Sequence, residues 1–471
     1  MEEKNNHFKF VDLFAGMGGL RLGFEKGFKE LGFETECVLT SEIKESAVKV
    51  LKENFDHNKL VGDIREVETD EIPKFDFLLA GFPCQSFSAA GHQDGFADTR
   101  GTLFFEIERI LREKQPYGFL LENVEGLVTH DRENKEDEIG NTLKIILNNL
   151  SLLGYNVNYE VLDAQNFGLP QSRKRVYIVG TKEGEVELEN FPKKHSKLKK
   201  ILERGLEVED TEFNRKILEN YSVEELHGKA IKDKRGGDNN IHSWDIELKG
   251  PVSDQQKKLL NELLKQRRRK KWAKKKGIKW MDGMPLTVEE ISTFYPNLFI
   301  ENIEDIDLKE MLDDLVEKGY LELEHPKKQV EVETKNGNIV KRRRPDKSLK
   351  KGYNIVTGKL SFEFTKILDP EGVAPTVVAT DVHKLAVPDE DGLRELTLRE
   401  GLRLFGYNDN FIMNVDKKEG FDLLGNTVPV PVVEAISDRL AGVYNGYLEV
   451  GRKEVKRCHL KSAQIAKGRW C

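Results

Sequence analysis

Up to about Gly180, short apolar runs alternate with stretches in which apolar residues recur every three or four positions. The runs predict strands over Phe8–Phe14 (FKFVDLF), Cys37–Glu42, Phe75–Ala80, Tyr117–Glu122, Val157–Asp163 and Arg175–Gly180. The helical spacing predicts helices over Leu20–Leu31, Ser46–Asn54, Leu103–Lys114 and Thr142–Leu153. Such alternation points to an α/β fold, with a parallel sheet covered by helices on both faces. Beyond Gly180 the periodicity fades. Residues 181–240 are charged and poor in aromatics, and 250–280 reads as a strongly basic helical segment. Residues 281–350 mix short helices with a polar, hairpin-forming stretch around Lys335–Asn338 (KNGN). A helix returns at Leu396–Phe405, and Phe421–Val433 with the helix Val433–Val443 reads as a return to the first domain. The expected organisation is a first domain over 1–190, a smaller irregular one over 191–419, and a returning segment over 420–471.

Composition narrows the class. A chain of 471 residues is long enough for two domains, and 38% hydrophobic with 33% charged residues fits a globular protein. No apolar run reaches the length of a membrane span, and the N-terminus lacks the layout of a signal peptide. The four cysteines, Cys37, Cys84, Cys458 and Cys471, form no CxxC pair and no metal-ligand spacing. A reducing, cytoplasmic setting and no bound metal are expected. The net charge of −7 hides an uneven distribution: basic residues crowd into Lys265–Lys279 and Lys341–Arg344, acidic ones into Glu301–Asp314. A local basic face is what phosphate binding needs. The final residues, Gly451–Cys471, form a basic tail.

Candidate chemistry gathers where strands end, which is where open parallel sheets bind ligands. Phe14-Ala15-Gly16-Met17-Gly18-Gly19 follows the first strand, and its glycines permit a tight turn with close approach to a ligand. Glu42, near the end of the second strand, can hydrogen-bond a ribose, and Asp63 can accept from an adenine amino group. The third glycine of a dinucleotide fingerprint is missing, since position 21 is Arg, which weighs against a nicotinamide enzyme. Gly81-Phe82-Pro83-Cys84-Gln85-Ser86-Phe87-Ser88 places a thiol, the strongest side-chain nucleophile near neutral pH, just after a strand. Glu122, in Glu-Asn-Val, ends another strand, where desolvation can raise its pKa and let it carry a proton. Arg173 and Arg175, in Gln-Ser-Arg-Lys-Arg, stand at alternate positions and can line one pocket. Asn426, in Leu-Gly-Asn-Thr-Val-Pro, can reach a ligand from a loop. Taken singly, each has a plainer reading: a tight turn with surface acids, a buried structural cysteine, a solvated acid, a basic edge strand, a Gly-Asn turn.

Order and spacing carry more than any single motif. The series FAGMGG, SE, GDI, GFPCQSFS, GTLF, ENV, QSRKR, RELTLREGLRLFG and LLGNTVPVPV resembles the cytosine-5 DNA methyltransferases, especially those of prokaryotic restriction-modification systems. The resemblance covers roughly the first 180 residues and the last 80 before the basic tail. It implies a Rossmann-like, S-adenosylmethionine-dependent domain with a mixed, mostly parallel sheet, plus a smaller irregular target-recognition domain. It makes Cys84 the nucleophile that attacks C6 of a flipped-out cytosine, and Glu122 the acid that engages N3 and the exocyclic amine. Arg173 and Arg175 match the supporting arginine pair. Phe14, Gly16, Gly18, Glu42, Ile43, Asp63, Ile64, Pro83, Leu103, Asn426 and Val428 match positions around S-adenosylmethionine. Gln85, Ser86 and Ser88 begin a loop over 85–100 that closes on DNA, with Gly91, Gly95 and Gly101 as its flexible points. One departure is visible: where many family members carry an aromatic residue after the acid of the second strand, this chain has Ile43 and Lys44.

The middle region stands where the family keeps its target-recognition domain. There Arg267, Arg268, Arg269, Lys270 and Lys271, with Trp272, suit a phosphate backbone, although a solvated helix face is the plainer alternative. Ala374-Pro375-Thr376 and Arg394–Glu400 resemble the segments that frame that domain. The implied partners are double-stranded DNA and a cognate restriction endonuclease acting on the same site, with the protein itself a monomer. Three rivals remain open at this point: an RNA cytosine methyltransferase on the same fold, a catalytically silent DNA-binding regulator, and a nicotinamide oxidoreductase. The large insert between Arg175 and Arg394 favours DNA over RNA, because reading several base pairs needs area.

Overall fold

The computed structural model describes residues 6–82, 102–134, 136–234, 236–237, 239–278, 283–295, 307–333, 339–357, 362–378 and 380–446. The chain divides into two compact units: Met1–Leu202 with Glu371–Val382 and Thr397–Cys471, and Glu203–Pro370 with His383–Leu396. The chain returns to the first unit over Glu371–Val382 and again from Thr397, where the helix over Leu398–Leu404 packs on the one over Lys417–Asn426. Gly401 comes so close that a Cβ there would lie 2.6 Å from Leu424.

In chain order the first unit contains β1 (His7–Leu13), α1 (Gly19–Glu30), β2 (Glu34–Ser41), α2 (Glu45–Asn54), β3 (Leu60–Val61), β4 (Phe77–Gly81) and α3 (Thr102–Lys114). Then come β5 (Gly118–Val124), α4 (Gly126–Thr129), α5 (Asn141–Leu152), β6 (Asn156–Asp163) and β7 (Lys174–Thr181). Its seven strands lie in the order β3-β2-β1-β4-β5-β7-β6. The first five are parallel, and β7 runs antiparallel to both β5 and β6. This is the mixed, mostly parallel α/β sheet expected from the sequence, with strand and helix ends shifted by one to a few residues.

The strand alternation builds two cores. Phe8, Phe10, Phe77 and Leu79 face α1 residues Phe24 and Phe28, together with Val432, Val433 and Ile436. Val11, Leu13, Leu78 and Ala80 face Ile107 and Leu111 of α3 and Leu143 and Ile146 of α5. Successive side chains leave a strand on opposite faces, so one apolar run supplies both layers. Alongside Lys417–Asn426, a helix over 430–446 completes the unit and passes against α1 at Gly23, where a Cβ would lie 2.4 Å from Val433.

The second unit is built from smaller pieces. It holds α6 (Glu212–Asn220), α7 (Val223–Leu226), β8 (Ala230–Ile231), β9 (Asn240–Ile241), α8 (Asp254–Gln266), α9 (Lys270–Lys275), α10 (Val288–Ile291) and α11 (Leu308–Glu317). Strands β10 (Leu321–Glu324) and β13 (Gly352–Ile355) pair, as do β11 (Lys327–Glu333) and β12 (Ile339–Pro345). A five-stranded sheet follows the order β16-β15-β14-β8-β9, with β14 at Lys366–Ile367, β15 at Leu385–Asp389 and β16 at Gly392–Glu395. The basic segment expected as one helical stretch is two helices, α8 and α9, broken at Arg267–Arg269. The arms of the expected hairpin pair as β11 and β12, while its turn at Lys335–Asn338 lies outside the described residues.

Candidate active site

In the first unit β2, β1, β4 and β5 are adjacent and parallel, so their carboxyl ends meet at one rim. A cavity of about 800 Å³ opens there. Phe14, Gly16, Glu42, Ile43, Asp63, Ile64, Leu103, Glu122, Arg173, Arg175 and Asn426 all stand in its wall. These eleven expected site residues come from seven separated stretches of chain.

The wall at β1 is a strained turn. Phe14 has φ 55°, which a residue bearing a Cβ seldom adopts, and Gly16 has φ 56°. A Cβ on Gly16 would meet nothing within 4 Å, so the space above it belongs to the cavity. The Gly16 N–H donates to Glu42 Oε2 at 2.7 Å and the Lys44 N–H to Oε1 at 2.8 Å. Two backbone donors thereby fix the Glu42 carboxylate, whose remaining lone pairs can take donors from a ligand. Ile43, 73% exposed, offers an apolar face beside it. Asp63 accepts from Arg65 through both backbone N–H and guanidinium, at 3.0 Å, and the Arg65 hydrogen bonds hold its carboxyl below the usual range.

Gly18 and Val428 sit behind this wall and not in it. Gly18, at φ 82°, precedes the first turn of α1, and a Cβ there would press into the Phe55 ring at 2.4 Å. Val428 is buried in the core against α1.

The deep end of the cavity is charged and dry. Arg175 Nε lies 3.1 Å from Glu122 Oε1, with both side chains nearly buried. The antiparallel β5–β7 pairing explains the encounter. Val124 is opposite Arg175 in register, which brings the start of β7 to the carboxyl end of β5. Burial pushes the Glu122 carboxyl up, and Arg175 and then Arg173 pull it part of the way back. A carboxyl in such surroundings can hold a proton at higher pH than a solvated one.

Arg173 shares the wall but is engaged differently. Its guanidinium donates to the carbonyls of Val377 at 3.0 Å, Gly425 at 2.9 Å and Thr427 at 2.8 Å, and lies 4.9 Å over the Phe405 ring. It ties the strand entrance to two distant stretches of chain. Asn426 ends the helix Lys417–Asn426, where a loop or a Gly-Asn turn was expected; its side-chain amide donates to Asp422 O at 2.7 Å.

Several contributors carried no sequence signal. Val378 and Thr380 complete the wall from a stretch two hundred residues away from Arg173. Lys44 reaches back to pair with Asp422. Asn123 was quoted only as Glu122's neighbour, yet its buried side chain donates to Phe82 O at 2.8 Å. That bond anchors the chain where it leaves β4 for Pro83. Pro83, Cys84, Gln85, Ser86 and Ser88, with Gly91, Gly95 and Gly101, lie outside the described residues, as does the basic tail Gly451–Cys471.

In the second unit the expected phosphate-binding cluster divides. Arg267 is 1% exposed, and its Nη1 donates to Asn354 Oδ1 at 2.8 Å and Ile355 O at 3.3 Å. It cannot meet a phosphate there: α8 ends one residue earlier and the side chain turns into the core. Arg268 is partly buried, while Arg269, Lys270 and Lys271 are exposed. Lys271 Nζ lies 4.2 Å over the ring of Trp272, which is itself buried.

Relatives match the chain over nearly its whole length. The family model for C-5 cytosine-specific DNA methylase matches residues 8–442. The chain is 55% identical over 432 residues to the type II methyltransferase M.NlaIV of Neisseria lactamica, covering 92% of this chain and 98% of that one. It is 54% identical over 432 residues to M.NgoBV of Neisseria gonorrhoeae, with the same coverage. To M.BanI of Aneurinibacillus aneurinilyticus it is 40% identical over 458 residues, covering 92% and 95%. With a parallel-sheet cavity that joins a buried carboxyl–arginine pair to a glycine turn, and a family match spanning both units, this chain belongs to the C-5 cytosine-specific DNA methylases, and is a DNA (cytosine-5-)-methyltransferase.

Proposed function

We propose that this enzyme uses S-adenosylmethionine to methylate C5 of a flipped-out cytosine within a short, specific double-stranded DNA sequence. We further propose that it is the protective methylase of a type II restriction-modification system, working as a monomer in the cytoplasm beside an endonuclease of the same specificity. The observation that carries the chemistry is the buried Glu122–Arg175 pair in the same cavity as the Gly16–Glu42 turn. The type II names of relatives at 54–55% identity support the biological setting.

The cavity residues fit the cofactor. Space above Gly16 admits close approach, Glu42 and Asp63 offer acceptors for ribose hydroxyls and an adenine amine, and Ile43 and Leu103 offer apolar faces. When bound, S-adenosylmethionine supplies an electrophilic methyl group. Asn426 and Ile64 complete its expected surroundings, to which the sequence adds Pro83.

The remaining chemistry belongs to the chain and the base. Cytosine C5 is a poor nucleophile. Attack of the Cys84 thiolate forms an S–C6 bond and moves an electron pair toward C5, while Glu122 holds a proton at N3. Arg175 orients the Glu122 carboxyl, and Arg173 secures the strand entrance behind it. After C5 is methylated, loss of its proton to a base and cleavage of the S–C6 bond restore the aromatic ring and the thiolate. Attack must come perpendicular to the ring, which stacking blocks, so the base is flipped out at a cost of roughly a few kcal/mol. Gln85, Ser86 and Ser88 follow the nucleophile on the loop expected to close on DNA.

The test is methyl transfer from labelled S-adenosylmethionine to genomic DNA, followed by bisulfite sequencing. Protected cytosines within one short motif are the expected result. Label in transfer RNA and none in DNA would move the substrate to RNA. Tight DNA binding with label in neither would indicate a silent regulator.

A further inference from the structure

Strands β11 and β12 form a two-stranded antiparallel ribbon that, among the described residues, hydrogen-bonds to no third strand. Seven residues pair in each arm, so the ribbon is roughly 23 Å long at the usual rise per residue. That format suits the major groove of B-DNA, which is wide enough to admit a two-stranded ribbon. Its register sorts the side chains onto two faces. On one, Val330 is opposite Arg342 and Val332 opposite Val340, and these valines are partly buried. On the other, Gln329 is opposite Arg343, Glu331 opposite Lys341, and Glu333 opposite Ile339, and all six are exposed.

Charge and residue type select the occupant. The run Lys341–Arg344 puts four consecutive cations on exposed β12, pointing alternately to the two faces. Arg and Gln are the side chains that make bidentate bonds to guanine and adenine edges, Glu accepts from the cytosine amine, and an apolar tip can meet a thymine methyl. Ile339, 70% exposed at the far end, is such a tip. A ribbon serving only as a solvated surface has no need for a large exposed isoleucine on the same face as a paired Gln and Arg.

We infer that the β11–β12 ribbon enters the DNA major groove, with the Gln329–Arg343 face reading base edges and Arg342 and Arg344 gripping phosphates. The inference rests on the DNA-methylating function proposed above and names the element that selects the sequence. Base readout and phosphate contact leave different signatures, because phosphates set register and salt dependence but carry no sequence.

The experiment compares the full-length wild type with three variants: Gln329→Ala with Arg343→Ala, Arg343→Lys alone, and Arg342→Ala with Arg344→Ala. The readouts are bisulfite maps of methylated genomic DNA, DNA affinity at several salt concentrations, S-adenosylmethionine affinity, and thermal melting. The first variant should lose roughly five- to hundredfold in preference for its own site over one-base variants. Arg343→Lys should lose preference while keeping the salt slope, because it retains the charge and loses the fork. Arg342→Ala with Arg344→Ala should weaken binding at every sequence and lower the salt slope by about two. All three should bind S-adenosylmethionine as the wild type does, and melting checks that each variant stays folded. An unchanged map in the first two variants, with the wild type active, would overturn the inference alone. A wild type that methylates no DNA would overturn the parent function, and the ribbon's role with it.

Discussion

The two units use charge in opposite ways. In the first, Glu122 and Arg175 pair away from water, Arg173 is buried on backbone carbonyls, and all three line one cavity. In the second, Arg269, Lys270, Lys271 and the cations of β12 stand in solvent. The difference fits the tasks proposed for the two units. Moving a proton at one base atom requires a fixed group with a shifted pKa, which burial supplies. Holding a polyanion requires accessible charge, and counterion release rewards its number more than its exact placement. Substitutions should therefore act on rate in the first unit and on affinity in the second.

The largest effects belong to the chemistry. Cys84→Ser should abolish methyl transfer while leaving DNA binding intact; normal turnover would refute the nucleophile assignment. Glu122→Gln should slow single-turnover methylation by roughly 10²- to 10⁴-fold, the usual range for loss of a positioned acid. In the wild type burial holds the Glu122 pKa above the ordinary carboxylate value. The rate should fall as pH rises through that elevated pKa, because the proposed mechanism uses the protonated form at N3. In Glu122→Gln that alkaline fall should disappear, and a profile identical to wild type would assign the titration to another group.

Next in size is a buried acid with no such task. Asp12, the penultimate residue of β1, is fully buried, and neither carboxylate oxygen has a hydrogen-bond partner among the described residues. Burial, against the pull of Arg21 and with help from Glu25 and Glu42, raises its pKa to about 8. In the unfolded chain it titrates near the ordinary 3.8. A pKa raised on folding gives stability that is complete below the unfolded value and is lost as pH climbs toward the folded one. Unfolding free energy should therefore drop by on the order of a few kcal/mol between pH 4 and 8, at about 1.4 kcal/mol per unit shift. Asp12→Asn should flatten that slope in urea melts followed by circular dichroism. An unchanged slope would mean that another group sets it.

Arg267 tests the comparison from the other side, as a buried cation two residues from exposed Arg269. Arg267→Ala removes bonds to Asn354 and Ile355 and should cost about 2–4 kcal/mol. Tryptophan fluorescence during urea unfolding reports on this unit, since Trp244 and Trp272 lie in the same core. Lost DNA affinity at unchanged stability would return Arg267 to the phosphate-binding cluster.

What the sequence disclosed follows the same divide. The strands and helices before Gly180 were legible because one face of each is committed to a core, and apolar spacing records that commitment. Phe14, Glu42 and Glu122 were singled out because strand ends in a parallel sheet are where ligands bind, and the structure brings them into one cavity wall with Arg175. Arg173 shares that wall, but its bonds to Val377, Gly425 and Thr427 depend on chain two hundred residues away. Val378 and Thr380 were hidden for that reason, and so was the return of the first unit at Thr397. Arg267 misled because a run of cations looks uniform in one dimension. A helix ending at Gln266 turns one of its members inward.

Arg269 should give the smallest effect and the sharpest contrast with Arg267, two residues away. It is exposed and flanks α9, and its side chain provides no capping hydrogen bond. Arg269→Ala should leave stability within about 0.5 kcal/mol of wild type. If the exposed half of the cluster grips phosphate, the slope of log K for DNA against log salt should fall by about one, equally for cognate and random duplexes. A slope unchanged to within a few tenths would make Arg269 part of a solvated helix face and leave the β12 cations as the principal anchor. A loss confined to the cognate duplex would make it a base reader. The pair 267 and 269 thus asks, within one short break between helices, whether burial decides which arginine holds the protein together and which holds its substrate.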